Sequence, residues 1–192
     1  MVKLLDIADV FNGILRHRLK QESNNDKTIK KYYLLNYSCF DDSNYLKKEH
    51  LTTIETKEVI NSELLVQKND IVAILLKPIR FYLIKEEYEN MIVPSNIAII
   101  RTKSYDPTVL IYLLNQQVNN FNKFITGISI PLISIKELKN VEIDETKFND
   151  PFIIKKVQIN ELLNHQLNLL ERKYKYINQL KKYFFKKEKE KK

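Results

Sequence analysis

A chain of 192 residues, 44% hydrophobic and 29% charged, can bury one good core with an appendage and is too ordinary in composition to be a disordered polymer. No apolar run nears the roughly 20 residues that cross a bilayer, and Asp6 and Asp9 break the opening Met1-Val2-Lys3-Leu4-Leu5, which argues against a signal peptide. The formal charge of +8 is concentrated in ten Lys/Arg set against three Glu between Glu171 and Lys192, which leaves the rest of the chain close to neutral.

The single cysteine, Cys39, cannot close an internal disulfide and fits a reducing, cytoplasmic setting. His17, His50 and His165 show no ligand spacing, so no metal site is expected. Only Gly13 and Gly127 supply glycine, which removes glycine-rich phosphate loops and leaves no cofactor to expect. Scarcity marks both as positions with special backbone demands.

Leu4, Ile7 and Val10 or Phe11 space out a short helical or turn-like face that ends at Asn12-Gly13. Asn24-Asn25-Asp26 marks a loop, and Lys31–Ser38 has strand composition. Cys39–Ser62 is polar and gives no ordered reading. Leu64-Leu65-Val66 and Ile71–Leu76 predict buried strands around a turn at Gln67–Asp70. Phe81–Ile84 and Ile92–Arg101 continue the strand pattern, with Pro94-Ser95-Asn96 between them. Asp106-Pro107 then predicts a helix, with Asp as its cap and Pro at its first position. Leu110, Leu113, Leu114 and Val118 line one side of it. Strands mixed with a few helices, without βαβ alternation, predict an α+β fold.

From about Ile153 the pattern changes. Leu163, Leu167, Leu170, Tyr174, Ile177 and Phe184 recur at coiled-coil spacing, with Asn160 and Lys181 as polar interruptions on the same stripe. No Pro or Gly follows Pro151, so the helix has no internal reason to stop. Thirty-odd residues span roughly 50 Å. Such a helix docks on its own domain or pairs with another helix, and a leucine stripe this long favours pairing. The expected layout is a domain over residues 1–152 and a long dimerising helix with a lysine-rich end over 153–192.

Catalysis finds little support. Asn149-Asp150-Pro151-Phe152 echoes the adenine methyltransferase motif of Asn or Asp, Pro-Pro and an aromatic, but Asp150 replaces the first proline and no glycine-rich cofactor loop exists. The tetrapeptide is better read as the turn that starts the long helix. No nucleophile elbow or Cys/His pair appears, so no catalytic residue is assigned. The adjacent acids Asp41-Asp42 and Glu86-Glu87 are read as solvated surface.

Binding is better supported. Arg16, Arg18, Lys20, Lys27, Lys30 and Lys31 fall in sixteen residues whose only acids are Glu22 and Asp26. Such a loop neutralises phosphates, and arginine also reads guanine edges. Tyr32 and Tyr33 follow it and are placed to pack against sugars or bases. Lys77 and Arg80, flanking Pro78, form a second candidate. The loop from Lys123 to Ser129 forms a third, where Gly127 lets backbone amides approach a phosphate. For each, an ordinary solvated loop or turn is the competing account.

Several segments fall in the order found in the specificity subunits of type I restriction–modification systems. Lys3–Gly13 resembles their opening "KLGDIAEV…G" signature, and Tyr33-Leu34-Leu35-Asn36 a following strand. Leu65–Val72 is similar to "L-x-x-GDI(V/L)", with Asn69 where glycine is usual. Val93–Arg101 resembles the next strand and Asp106–Asn115 the "DP-x-Y-L-x-Y-x-L-N" helix. Thr126–Ile143 looks like the end of a target recognition domain. The usual "P-L-P-x-x-x-Q" link before the helix is replaced by Asp144–Pro151.

The resemblance implies a non-catalytic protein that binds double-stranded DNA. It implies a DNA methyltransferase (modification) subunit as partner, and a restriction subunit as a further one. Family members typically carry two recognition domains and two helices, so a chain with one of each looks like a half-subunit that forms an antiparallel homodimer through its C-terminal helix. A coiled-coil scaffold that has lost DNA recognition is the alternative.

Overall fold

The computed structural model describes residues 1–15, 19, 29–40, 46–121 and 132–189, with the helix backbone alone over 184–189. The expected α+β architecture is present: sheets, short helices and one long C-terminal helix.

The central element is a four-stranded sheet of order β2-β8-β5-β6, antiparallel throughout, built from β2 (Ala8–Asn12), β5 (Ile71–Ile74), β6 (Arg80–Leu83) and β8 (Ile97–Thr102). Its middle strands are apolar on both faces because both faces are covered. Alternation sends Ile71, Ala73, Ala98 and Ile100 to one side. There they meet Leu110, Leu113 and Leu114 of α2 (Pro107–Gln116), Phe121 of α3 (Val118–Phe121) and Leu138 of α4 (Ile135–Lys139). Val72, Ile74, Ile97 and Ile99 point the other way, against Leu35, Cys39, Met91 and Val93. On that side lies a three-stranded mixed sheet of order β4-β3-β7: β3 (Lys30–Leu34) runs antiparallel to β4 (Thr52–Thr56) and parallel to β7 (Met91–Ile92).

Local chemistry sets the element ends. Asp106 accepts the N–H of Thr108 at 2.8 Å and Pro107 opens α2, as the sequence predicts. Ser134 and Glu137 close a reciprocal box around the start of α4. Asp150 accepts the N–H of Phe152 at 2.8 Å, and α5 runs from Pro151 to Lys189. The Asp150-Pro151 turn therefore does start the long helix, two residues before the expected boundary.

Two expectations change, and a stretch left without an ordered reading gains one. The opening segment is not one helical face. A two-residue strand β1 (Val2–Lys3), paired with β9 (Glu142–Ile143), leads into the single-turn helix α1 (Leu4–Ile7), and Val10 already lies in β2. Leu64 closes a 3₁₀ turn, and Leu65-Val66 forms no strand in front of β5. The polar stretch 39–62 holds β4, whose one buried apolar residue is Ile54.

Gly13 earns its place by proximity. A Cβ built there would sit 2.0 Å from the carbonyl oxygen of Pro94 and 2.7 Å from that of Ile97. The same approach lets Gly13 N–H donate to Ile97 at 3.1 Å and Ile14 N–H to Val93 at 2.8 Å. Gly13→Ala is expected to cost roughly 3 kcal/mol, since backbone and not a mobile side chain must yield. Urea unfolding measures it, and a loss under about 1 kcal/mol would mean that the two strands separate without penalty.

Candidate nucleic-acid interface

The buried ion pair inside the domain accounts for two of the sequence motifs. Asn69 has φ of 71°, in the left-handed region where glycine is the easy choice and asparagine the next. The turn it makes aims Asp70 inward, where the carboxylate is 1% exposed. Arg101 donates to it through Nε and Nη2, both at 2.8 Å, and Gln67 N–H donates at 2.7 Å. Nη2 also donates to the carbonyl of Leu65 at 3.0 Å, and the Asp70 carboxylate raises the pKa of the guanidinium. These two residues therefore brace β5 against β8 and are not offered to a ligand.

The basic candidates lie around the smaller sheet and the β5–β6 turn. Lys30 and Lys31 open β3 and are exposed, with Lys31 Nζ 5.7 Å from the Tyr33 ring centroid. Glu55 stands opposite Lys31 in the register, so a phosphate has a competitor there. Tyr32 corrects an expectation. It is 3% exposed, packed with Leu34, Ile54 and Ile92, and its hydroxyl accepts the N–H of Ile60 at 3.1 Å. Strand alternation turns Tyr32 inward and leaves Tyr33 half-exposed.

Lys77 is exposed at the turn after β5, and Arg80 begins β6, half-buried with Nη1 3.5 Å from the Tyr82 hydroxyl. Leu132 bridges Leu76, and Ile133 N–H donates to Leu75 at 3.1 Å. Leu132 and Ile133 therefore lie beside the end of β5 that leads to Lys77. Arg16, Arg18, Lys20, Lys123 and Ser129 lie outside the described residues, as does the side chain of Phe184. Leu19, within the first basic segment, is buried in a cluster with Tyr32, Leu34, Ile54 and Ile92.

A groove of about 410 Å³ between the domain and α5 gathers charges that no stretch of sequence holds together. Lys47, Lys48 and Lys85 line it from the domain, Arg172 and Lys175 from the helix. Lys48 meets Glu86 at 2.8 Å, and the ammonium holds that exposed carboxylate below its ordinary pKa. Lys85 meets Glu161 on α5 at 3.4 Å.

Helix geometry divides α5 into three stripes about a third of a turn apart. Ile153, Val157, Glu161, Asn164 and Asn168 are half-buried or buried and face the domain. Only Ile153 and Val157 are apolar there, and Val157 joins the main core. Leu163, Leu167, Leu170, Tyr174 and Ile177 lie on a second stripe, between 48% and 67% exposed. Leu162, Leu169, Tyr176, Leu180 and Tyr183 form a third, between 39% and 63% exposed. The helix therefore docks on its own domain by its first turns and presents two apolar stripes elsewhere. A stripe pattern this wide exceeds what one helix pair covers.

Among the described residues no group of His, Cys, Asp and Glu could hold a metal ion, and no helix is long and apolar enough to cross a membrane.

The architecture has known counterparts. A solved chain from a study of complex assembly and conformational transition in the type I restriction–modification system shares this fold at a TM-score of 0.55. It is 15% identical over 89% of this chain and 39% of its own length. The type I restriction–modification S subunit from M. genitalium gives 0.45 at 14% identity, over 89% and 38% of the two chains. The HsdS subunit from Thermoanaerobacter tengcongensis gives 0.44 at 15% identity, over 88% and 38%. The chain spans less than two fifths of each, and the resemblance read from the sequence holds at the level of fold. No family model matches the chain. No curated protein matches it either.

Proposed function

We propose that this chain is a sequence-specific DNA-binding specificity subunit of a type I restriction–modification system. It carries no catalytic residue of its own and directs a partner adenine methyltransferase to a bipartite target, with a restriction subunit as an additional partner. The observation that supports this most is the joining of such a fold unit to a helix on which Leu163, Leu167, Leu170, Tyr174 and Ile177 lie between 48% and 67% exposed. Residues 1–152 serve as the recognition unit, and the helix over 153–192 holds two copies together.

Arg16, Arg18, Lys20, Lys30, Lys31, Lys77, Arg80, Lys123 and Ser129 are the proposed DNA contacts, Tyr32 having been removed by its burial. Phosphate contacts fix orientation, and base contacts from the same loops supply the sequence choice. Two copies related by a two-fold axis read one half-site twice, which gives an inverted repeat with an unspecified spacer. Catalysis belongs to the methyltransferase, which takes the flipped adenine into its own pocket. Leu162, Leu169, Tyr176 and Leu180 of the third stripe are exposed and would serve such a partner when the second stripe is occupied by another copy.

Co-expression with the methyltransferase is expected to yield a complex that methylates adenine in an inverted repeat, whereas the chain alone binds that duplex and modifies nothing. Arg16→Ala with Arg18→Ala should weaken binding and flatten the salt slope by about one unit per lost phosphate contact. Unchanged affinity and slope would move the interface to the Lys77 end of the sheet. Absence of both DNA binding and any methyltransferase complex would favour a scaffold that acts through its helix.

A further inference from the structure

We propose that Lys85 with Glu161, and Glu86 with Lys48 and Arg172, form a charge clasp that fixes the direction of α5 relative to the domain. Through that direction the five act as positioning residues, setting the spacing at which two domains meet their half-sites. The clasp concerns the chain alone, whereas its bearing on half-site spacing rests on the DNA-binding reading above.

The apolar joint between α5 and the domain is short. Val157 is buried in the main core, and Ile153, one turn earlier, packs against it. Further along the same side come Glu161, Asn164 and Asn168, and then exposed Arg172. Such groups exchange protein for water with little net gain, so burial does not drive this stretch onto the domain. Lys85 stands between two openings there. A cavity of about 250 Å³ reaches along α5 from Val157 to Asn164, and the groove of about 410 Å³ from Asn168 to Lys175.

Charge crosses that gap at two places. Lys85 Nζ lies 3.4 Å from Glu161 Oε1. The next residue, Glu86, meets Lys48 Nζ at 2.8 Å. Lys48, and more weakly Arg172, hold the Glu86 carboxylate below its ordinary pKa. Glu161 and Arg172 are three helical turns apart, about 16 Å along one side of α5. Two neighbouring residues after β6 thus grip the helix with opposite signs, an ammonium near the joint and a carboxylate further out.

Leverage lets weak pairs suffice. The paired side chains are between 42% and 65% exposed, so each pair is weak and screened by salt. Arg172, however, lies about 22 Å beyond Val157, where about 3 Å of slack turns the helix by only about 8°. The same rotation moves Gln179 by roughly 4 Å.

A spin-label distance from Val59→Cys on the domain to Gln179→Cys on α5, in the full chain diluted with unlabelled copies, tests the clasp. Cys39 is fully buried and can stay. Wild type at low salt is expected to give one narrow distance. Glu161→Lys and, separately, Arg172→Glu should broaden it or shift it by roughly 4 Å, as should molar salt in wild type. Lys85→Glu combined with Glu161→Lys should restore the narrow distance, which a packing role would not. Unchanged distances in both single variants would overturn the clasp, and so would a broadening that the reversed pair fails to mend. Methylation with the partner methyltransferase, on duplexes that differ only in spacer length, reads the consequence. The single variants should accept a wider range of spacers, and the reversed pair the wild-type range. Broadened distances with an unchanged spacer choice would overturn the positioning role. No methylation even by wild type would bring down the DNA-binding reading and that role with it, and the distances alone would then decide the clasp.

Discussion

Replacing Arg101 with Met is expected to remove about 3–5 kcal/mol of folding stability, a large share of what a domain of this size holds. The cost comes from the residue left behind. Asp70 is 1% exposed and would keep only the Gln67 N–H, so a carboxylate would remain buried without its counter-charge. The guanidinium does three jobs at once: it forks onto Asp70, donates to the Leu65 carbonyl, and lies with Cζ 5.3 Å from the Phe11 ring centroid. Its side chain keeps 23% of its exposure, which places the expected loss nearer the lower figure. Urea unfolding of Arg101→Met and of Asp70→Leu with Arg101→Met measures the point. The double variant should recover part of the loss, because two apolar side chains leave no orphaned charge. A single variant within about 1 kcal/mol of wild type would show that water already reaches Asp70.

This pair also shows how much the sequence reveals. The strands within Ile71–Leu76 and Ile92–Arg101 are legible because apolar runs bounded by turn residues are local signals. That Asp70 and Arg101, 31 residues apart, close on each other is a consequence of β5 pairing with β8, which no local window contains. Asp106 and Asp150 betray their helices because a cap acts on the next two residues. The strands β2 and β4 escape for the opposite reason. Ala8–Asn12 follows a single helical turn closely enough for Leu4, Ile7 and Val10 to mimic one face, and Thr52–Thr56 is a strand by virtue of its pairing with β3.

The candidate site follows the same rule. Basic residues crowded within sixteen positions announce themselves, whereas Lys47, Lys85 and Arg172 share one groove from three distant segments. Two adjacent tyrosines in a strand must face opposite ways, but only the position of the core says which of them turns inward. The leucine spacing of α5 is visible in the sequence at once. Its direction relative to the domain is not, because Glu161, Asn164 and Asn168 turn toward the domain while the leucines turn away.

Changing Leu167 and Leu170 together to Asp is expected to convert a dimer into a monomer at tens of micromolar. Both side chains are more than half exposed in the single chain, so the substitutions cost the domain nothing it uses. Within a helix pair the same side chains would be covered, each contributing about 1.5–3 kcal/mol, and every substitution appears twice across the two-fold axis. Carboxylates in their place would face loss of hydration worth several kcal/mol apiece. Light scattering should report the halved mass, with an unchanged urea midpoint for the domain. DNA affinity should then fall by about 10²–10⁴, since two tethered half-site contacts become two independent ones. The variant should still hold a single half-site weakly and with the wild-type base preference, because Lys30, Lys31 and Lys77 are remote from the stripe in sequence and lie on the domain. A double variant that stays dimeric would remove the stripe from the interface. One that turns monomeric while keeping wild-type affinity would mean that a single domain carries the whole recognition energy, and the bipartite reading of the target would fall.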